Sequence, residues 1–378
     1  MRSPLTPVFD DPRLLPIRDK VERGERLNSE DGLALYRTPD LLSVGWMANQ
    51  VRERLHGNKT FFNVNRHINP TDVCVASCKL CAFGKKAKDP TAYAFSLEEI
   101  WERAGRGHAE GVTEFHIVGG LHPELSLDWY CDMLRGLKQR YPEVHLKAFT
   151  MVEIGYFAQR TKISHREVLE RLKEAGMDSM PGGGAEIFAE RVRRIICDHK
   201  LSGDQWIEVA RTAHKLGIHS NCTMLYGHIE TPEDRVDHLL RLRALQDDTQ
   251  GFQTFIPLAF HPDNTAMHHV GKTTGFNDIR EIAVSRLMLD NIPHIKAYWV
   301  MMTPQIAQIA LRFGADDLDG TVVEEKIYRD AGGATSGSLR RSELLRLIRE
   351  AGREPLERDT LYHPVERKES ENVFTVLV

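Results

Sequence analysis

Residues 61–83, FFNVNRHINPTDVCVASCKLCAF, decide the fold because an apolar run leads directly into a loop with three cysteines. Those cysteines, Cys74, Cys78 and Cys81, lie within eight consecutive positions, although the whole chain has only six. Thiols at this spacing lie within reach of one metal centre, and six unevenly spread cysteines are too few for a disulfide framework. The segment therefore predicts a strand that carries a metal-binding loop at its carboxyl end.

The number of thiolates indicates which metal centre this is. A structural zinc site takes four protein ligands, commonly as two Cys pairs or as Cys pairs with His, and no second pair follows the loop. Three thiolates leave one iron of a cubane cluster without a protein ligand, and that iron can bind a substrate or cofactor. The loop therefore favours an iron–sulfur cluster over zinc. Cys131, Cys197 and Cys222 have no matching spacing, and we assign them no role.

Beyond the loop, short apolar runs alternate with amphipathic segments of helical length. Repeated strand–helix units imply a parallel sheet, and the α/β pattern at this chain length predicts a (β/α) TIM-like barrel. Helices at 97–110, 164–175 and 233–246 are charged on one face, which places them outside the barrel. The predicted strands are FFNVNRHI, FHIVGG, VHLKAFT, DSMPGGG, HSNCTMLYG, QTFIPLAF and IKAYWVMM. Several end in Gly, Pro, His or Thr, where such a barrel builds its site.

Three regions follow from this pattern. Residues 1–58 are predicted to form an N-terminal helical extension and residues 59–330 the barrel. Residues 331–378 are predicted to form a C-terminal helix, with its basic face in solvent, and a tail.

Charge and hydropathy restrict the partners. The 378 residues carry 50 basic and 54 acidic side chains, a net charge of -4, so no attraction to nucleic acid or to an anionic membrane is expected. No stretch resembles a signal peptide or approaches the roughly 20 apolar residues of a membrane span. We therefore expect a cytoplasmic protein with a small-molecule substrate.

The cysteine loop resembles that of the radical S-adenosylmethionine (SAM) superfamily, whose Cx3Cx2C motif and following aromatic residue match Cys74, Cys78, Cys81 and Phe83. The resemblance implies a barrel of the radical SAM type and a four-iron, four-sulfur cluster on the three cysteines. It implies that the open iron chelates SAM and that an electron from the cluster cleaves SAM to methionine and a 5′-deoxyadenosyl radical. The electron would come from a donor such as flavodoxin or ferredoxin.

The resemblance also predicts residues that contact SAM. The superfamily receives the methionyl amino group at a Gly-Gly pair like the one in VGGLHP, although a tight turn would explain that pair equally simply. A carboxylate after PGGGA would accept ribose hydroxyls, or would only favour a helix N-terminus. The GHIET segment resembles one that shapes the adenosine pocket, and it is also a plausible helix cap. The cofactor-binding candidates are Phe83, Gly119, Gly120, Glu186, Gly227, Glu230 and Ile256.

Within this superfamily the sequence most resembles the aminofutalosine synthase family of menaquinone biosynthesis, through HINPTDVCVASCKLCAFG, EFHIVGGLHPELSLDWY, PGGGAEIFAERVRRIICDHK and FGADDLDGTVVEEKIY. That resemblance implies addition of the 5′-deoxyadenosyl radical to 3-[(1-carboxyvinyl)oxy]benzoate, which gives 6-amino-6-deoxyfutalosine. Dehypoxanthine futalosine cyclase and the deazaflavin-synthase subunit carry variants of these segments and remain alternatives, as does a non-enzymatic zinc or iron–sulfur protein.

An acceptor with two carboxylates needs cationic or hydrogen-bonding groups at the strand ends. Polar side chains are dense beside the predicted strands, although each one alone could equally be a core or surface residue. The substrate-binding candidates are His67, His116, His122, Lys147, Thr150, His228, His261, Asn264 and Lys296.

Overall fold

The computed structural model describes residues 7–333, 335 and 337–367 and has a parallel sheet at its centre. The ten strands are β1 (Lys59–Asn63), β2 (Asn65–Ile68), β3 (Glu114–Ile117), β4 (His145–Ala148), β5 (Ser179–Met180), β6 (His219–Tyr226), β7 (Phe252–Ala259), β8 (His294–Ile295), β9 (Asp317–Gly320) and β10 (Glu354–Glu357). Strands β2 to β8 form a seven-stranded sheet in sequence order, and β10, β1 and β9 form a smaller sheet in that order. All the pairings between these strands are parallel.

The helices fill the connections between the strands and extend the chain at its N-terminal end. After a 3₁₀ turn (Pro12–Leu14) they are α1 (Leu15–Arg23), α2 (Ser29–Arg37), α3 (Leu41–His56), α4 (Leu97–Ala109), α5 (Leu127–Arg140), α6 (Met151–Thr161), α7 (His165–Glu174), α8 (Glu190–Ile196), α9 (Gly203–Lys215), α10 (Pro232–Thr249), α11 (Gly275–Met288), α12 (Trp299–Met302), α13 (Pro304–Ala310), α14 (Ile327–Asp330) and α15 (Arg341–Glu350). Among the described residues no helix is long and apolar enough to span a membrane.

The sheet curls into the predicted barrel. Strands β2, β3 and β4 run in matched register, with His67 opposite His116 and His116 opposite Lys147. The segment that contains β9 lies in the gap between the last strand and the first, because isolated bridges join Lys296 to Asp317 and Arg66 to Val323. The predicted α/β barrel is therefore confirmed, with β9 between its two edges.

Two predicted strands are divided in the structure. FFNVNRHI forms β1 and β2, which belong to different sheets, because the chain passes from one sheet to the other at Val64. IKAYWVMM begins just after the first residue of the short β8 and continues into the helix α12. Apolar runs of this length do not distinguish a strand from a buried helix.

The C-terminal segment after α15 packs against the barrel. Strand β10 pairs with β1, and the next residue, Arg358, forms a buried ion pair with Asp317 at 2.6 Å. Thr360 donates a hydrogen bond to Glu114 at 2.7 Å, and Tyr362 donates one to Asp317 at 2.7 Å. This segment therefore closes the barrel at the end away from the cysteine loop. The remainder of the predicted tail, 368–378, and residues 1–6 lie outside the described residues.

Substitution of Arg358 by Met should lower the free energy of unfolding by about 3–5 kcal/mol, because it leaves Asp317 buried without its ionic partner. Arg346→Met is the matched control, since Arg346 forms an exposed pair with Glu350 one helical turn away. Urea denaturation followed by circular dichroism measures both variants. Equal midpoints for the two variants would contradict this account of the C-terminal segment.

Candidate active site

A cavity of about 580 Å³ occupies the barrel between the cysteine loop and the strand ends. Its volume falls within the range of sites that bury small molecules. The lining includes most of the residues that the sequence singled out. Those residues are Cys74, Cys78, Cys81, Phe83, Gly119, Gly120, Glu186, Ile256, His67, His116, Thr150, His261 and Lys296.

The three cysteines of the loop differ from the other three in exposure. Cys74, Cys78 and Cys81 are half-buried and line the cavity, whereas Cys131, Cys197 and Cys222 are buried in the protein core. Metal ligands have to be accessible to the metal. The loop cysteines meet this condition, and the three buried cysteines do not.

Backbone contacts hold the loop in place. The amide of Cys74 donates to the carbonyl of Lys85 at 2.8 Å, and the amide of Cys81 donates to the carbonyl of Cys78 at 3.1 Å. The ammonium of Lys86 lies 3.0 Å from the carbonyl oxygens of Val75 and of Ala76. These contacts order the loop through its backbone, and the amide of Gly84 also donates to Cys81 Sγ at 3.4 Å.

The donor set fits a four-iron, four-sulfur cluster. Three thiolates supply the ligands for three irons and leave the fourth open. Gly84 keeps space free beside them, because a Cβ at this position would lie 3.1 Å from Cys74 Cβ, 3.7 Å from Cys74 Sγ and 3.9 Å from Cys81 Sγ. A larger residue would occupy the space next to two of the three ligands.

The Gly-Gly turn after β3 packs against the cysteine loop. A Cβ on Gly120 would lie 2.3 Å from the carbonyl oxygen of Val73, a distance that no real Cβ contact allows. The amide of Gly119 donates to Glu153 Oε1 at 3.2 Å. The pair therefore lies beside the cysteines in the cavity wall, and this close approach requires glycine at position 120.

Glu153 is a cavity residue that the sequence reasoning missed. It lies in the first turn of α6, where it forms a capping box with Thr150, and burial raises its pKa to about 7. The signal in the sequence was the T-x-x-E pattern, which is typical of a helix N-terminus and says nothing of a cavity.

Lys200 was also missed, and it pairs with the predicted Glu186. Its ammonium lies 2.5 Å from Glu186 Oε1. Burial raises the pKa of Glu186, but the charge and hydrogen bond of Lys200, together with the charges of Arg193 and His228, lower it below its ordinary value. Both side chains line the cavity, so a buried ion pair forms part of the wall near the cysteine loop.

The turn at 227–230 lies outside the cavity lining. Gly227 has a φ of +88°, and its amide donates to Glu230 Oε1 at 2.6 Å. The same carboxylate accepts from the amide of His228 at 2.9 Å and from Arg235 Nε at 2.9 Å. In the structure, Glu230 therefore holds the turn together, and its side chain is fully buried by these partners.

Four of the predicted substrate contacts also lie outside the lining. Lys147 pairs with Glu114 at 2.8 Å, and His228 Nε2 contacts the carbonyl of Leu225 at 3.0 Å. The Nδ1 atom of His122 accepts from the amide of Glu124 at 3.0 Å. Asn264 donates to the carbonyl of Asp330 at 2.9 Å. Each of these side chains is occupied by contacts within the protein.

Aromatic and acidic residues from the C-terminal third complete the wall. Tyr298, Tyr328 and Glu325 line the cavity, and the ring of His261 meets that of Tyr328 edge to face, with centroids 4.5 Å apart. Burial raises the pKa of Glu325 to about 7. These residues lie in segments where the sequence showed only short apolar and acidic runs.

Known proteins resemble this chain along most of its length. Residues 68–242 match the radical SAM superfamily, and residues 249–371 match the CofH/MqnC C-terminal region. The chain is 50% identical to aminodeoxyfutalosine synthase of Thermus thermophilus, over 94% of this chain and 96% of the relative. It is 48% identical to aminodeoxyfutalosine synthase of Streptomyces coelicolor, over 92% of each. Methylornithine synthase has the same fold, with a TM-score of 0.69 at 17% identity over 90% of this chain and 97% of that chain.

Replacement of Cys74, Cys78 or Cys81 by Ala should abolish iron incorporation, because two thiolates are too few to hold a cubane. Iron and sulfide analysis after anaerobic reconstitution measures this. The buried cysteines provide the controls: Cys131→Ala, Cys197→Ala and Cys222→Ala should keep full iron content. A triple loop variant that still held about four irons would refute the ligand assignment.

Glu230→Gln should destabilise the protein at neutral pH. Although burial opposes ionisation, hydrogen bonding from His228 and the charge of Arg235 lower the pKa of Glu230 to about 2, from 4.5. A lowered pKa stabilises the fold above pH 4.5, and this contribution is lost as the pH falls toward 2. Urea midpoints of both proteins should therefore differ most near pH 7 and converge below pH 4.5. A gap that widened on acidification would contradict this role.

Proposed function

This chain belongs to the radical SAM superfamily, and we propose that it is an aminofutalosine synthase. It is an enzyme that uses a four-iron, four-sulfur cluster and SAM. The observation that carries the proposal is the 50% and 48% identity to two aminodeoxyfutalosine synthases, over more than nine-tenths of each chain. The agreement covers both the barrel and the C-terminal region that completes the cavity.

Cys74, Cys78 and Cys81 would hold the cluster. When bound, the cluster supplies the electron that cleaves SAM into methionine and a 5′-deoxyadenosyl radical. The chain's own groups then have to hold SAM in one orientation. The glycine turn at 119–120 and the Glu186–Lys200 pair lie on the wall next to the cysteine loop and offer backbone and charged groups to its polar ends.

The reaction joins two molecules within one cavity. The 5′-deoxyadenosyl radical would add to the enolpyruvyl double bond of 3-[(1-carboxyvinyl)oxy]benzoate, and the aryl group would then migrate from oxygen to carbon. Loss of the side-chain carboxylate as carbon dioxide would give 6-amino-6-deoxyfutalosine, and the electron left over would be available to re-reduce the oxidised cluster. SAM is therefore consumed as a co-substrate. The middle of the cavity is walled by apolar side chains, including Ile256, Leu258 and Phe260, which exclude water from the radical.

An electron carrier has to reach the cluster from outside. We infer a flavodoxin or ferredoxin as this donor, since the cysteine loop is accessible at Val75, whose side chain is 47% exposed. The net charge of -4 supports neither a nucleic acid nor a membrane surface as a partner. Supply of small metabolites and of reduced carriers favours the cytoplasm as the site of action.

Product labelling tests the proposal. An enzyme that adds the adenosyl radical keeps the adenosyl carbons in its product, whereas one that abstracts hydrogen releases them as 5′-deoxyadenosine. Reconstituted enzyme with adenosyl-labelled SAM, reductant and the enolpyruvyl benzoate should place the label in aminofutalosine. Mass spectrometry should find free 5′-deoxyadenosine only as a minor by-product.

Dehypoxanthine futalosine provides the competing substrate for the same assay. Labelled 5′-deoxyadenosine in proportion to turnover of that substrate, with no labelled aminofutalosine, would replace the synthase by the cyclase. The assignment of cluster and SAM would stand in either case.

A further inference from the structure

Three polar side chains form a layer across the cavity at the end away from the cysteine loop. His67 on β2 and His116 on β3 stack face to face, with ring centroids 4.4 Å apart and planes within 4°. Lys296, directly after β8, lines the same cavity. We call these three residues the cavity floor. His67 and His116 lie on strands, and Lys296 is joined to Asp317 of β9 by an isolated bridge, so the barrel fixes the positions of all three.

The floor has hydrogen-bonding capacity that the protein does not use. His67 is 93% buried, yet its Nε2 atom has no partner among the described residues. Lys296 gives one hydrogen bond to Asp319 at 3.0 Å, and an ammonium has three protons to donate. An unsatisfied buried polar atom costs free energy unless a ligand completes it. The floor is therefore built to receive an acceptor of hydrogen bonds.

The unused hydrogen-bond donors of the floor suit an anionic group. Burial and the neighbouring His116 lower the pKa of His67 to about 3, so its ring is neutral and can donate from Nε2 in one tautomer. Below the floor, Glu114 is paired with Lys147 and hydrogen-bonded to Thr360. The charged groups around the floor are therefore paired: Glu114 with Lys147, and Lys296 with Asp319, which also lines the cavity. Neither carboxylate is unpaired, and the free donors that a ligand meets among the described residues are His67 Nε2 and the remaining protons of Lys296.

The position of the floor selects one end of the acceptor. The enolpyruvyl carbon has to lie near SAM, which the cysteine loop holds at the other end of the cavity. The ring carboxylate is the anionic group remote from that carbon. We propose that His67, His116 and Lys296 bind the benzoate carboxylate of the acceptor, an inference that rests on the proposed function and names the subsite for its far end.

Three unreactive ligands separate the two carboxylates. 3-[(1-carboxyethyl)oxy]benzoate keeps both but lacks the double bond that a radical attacks. 3-Ethoxybenzoate keeps only the ring carboxylate, and 2-phenoxypropanoate keeps only the side-chain carboxylate. Calorimetric titration into reconstituted enzyme with SAM and no reductant measures their affinities without turnover.

Lys296→Met should weaken 3-ethoxybenzoate and the dicarboxylate about 10- to 100-fold, the size expected for loss of a hydrogen bond to a charged group. It should change the affinity for 2-phenoxypropanoate less than about twofold, which is within the variation of ordinary substitutions. Lys20→Met is the control, because Lys20 is also ion-paired, with Asp31 at 2.7 Å, but lies in the N-terminal helix α1 and outside the cavity lining. This control should leave the ratio of the two monoacid affinities unchanged.

Equal losses for the two monoacids, loss for 2-phenoxypropanoate alone, or no loss would overturn the subsite. Iron content and circular dichroism show whether the variant is folded. Should Lys296→Met fail to fold, His67→Phe carries the same test, since it keeps the ring stack and removes Nε2. If the wild-type enzyme makes labelled aminofutalosine but the variant shows none of the expected losses of affinity, the subsite alone is refuted. Wild-type enzyme that neither makes this product nor binds the dicarboxylate would refute the proposed function with it.

Discussion

The contact between the cysteine loop and the glycine turn after β3 is the constraint on which the site depends. The carbonyl of Val73 approaches Gly120 so closely that no side chain fits between them, and the amide of Gly120 donates to the carbonyl of Thr71 at 2.8 Å. Because β2 and β3 are neighbours in register, the loop that follows one strand meets the turn that follows the other. The register of β2 and β3 thus fixes the cysteine loop against the glycine turn, and the two together form one wall of the cavity.

Most of the fold could be predicted from the sequence because its strands and helices carry local patterns. The two strands β9 and β10 do not. DLDG and EPLE are short and charged, and Asp317 can be buried only because Arg358, 41 residues later, supplies the opposite charge. Long-range compensation of this kind has no signature in either segment. For the same reason, the sequence could not show that the chain after α15 closes the barrel.

The sequence predicted which polar residues lie near the site, but it did not predict which of them have hydrogen-bonding atoms left free for a ligand. Glu230 and His67 are both polar residues beside strands, and both were candidates for ligand contact. In the structure Glu230 is satisfied by two backbone amides and Arg235, whereas His67 Nε2 has no partner among the residues described. Lys200 was missed because it lies after a helix, where a lysine is usually solvated. Burial against Glu186, rather than residue type, places it in the wall.

The distribution of charge in the barrel also explains how one family fold can serve different acceptors. The end of the cavity beside the cysteine loop is built from the close-packed turn at Gly120 and the buried pair of Glu186 and Lys200, so it tolerates little change. The far end is built from side chains on rigid strands, with the pair of Lys147 and Glu114 as a neutral support beneath. On the proposed binding mode, a substitution at the cavity floor would change which group is bound there without moving the loop. Acceptor choice can therefore vary at the floor while the chemistry at the cysteine loop stays the same.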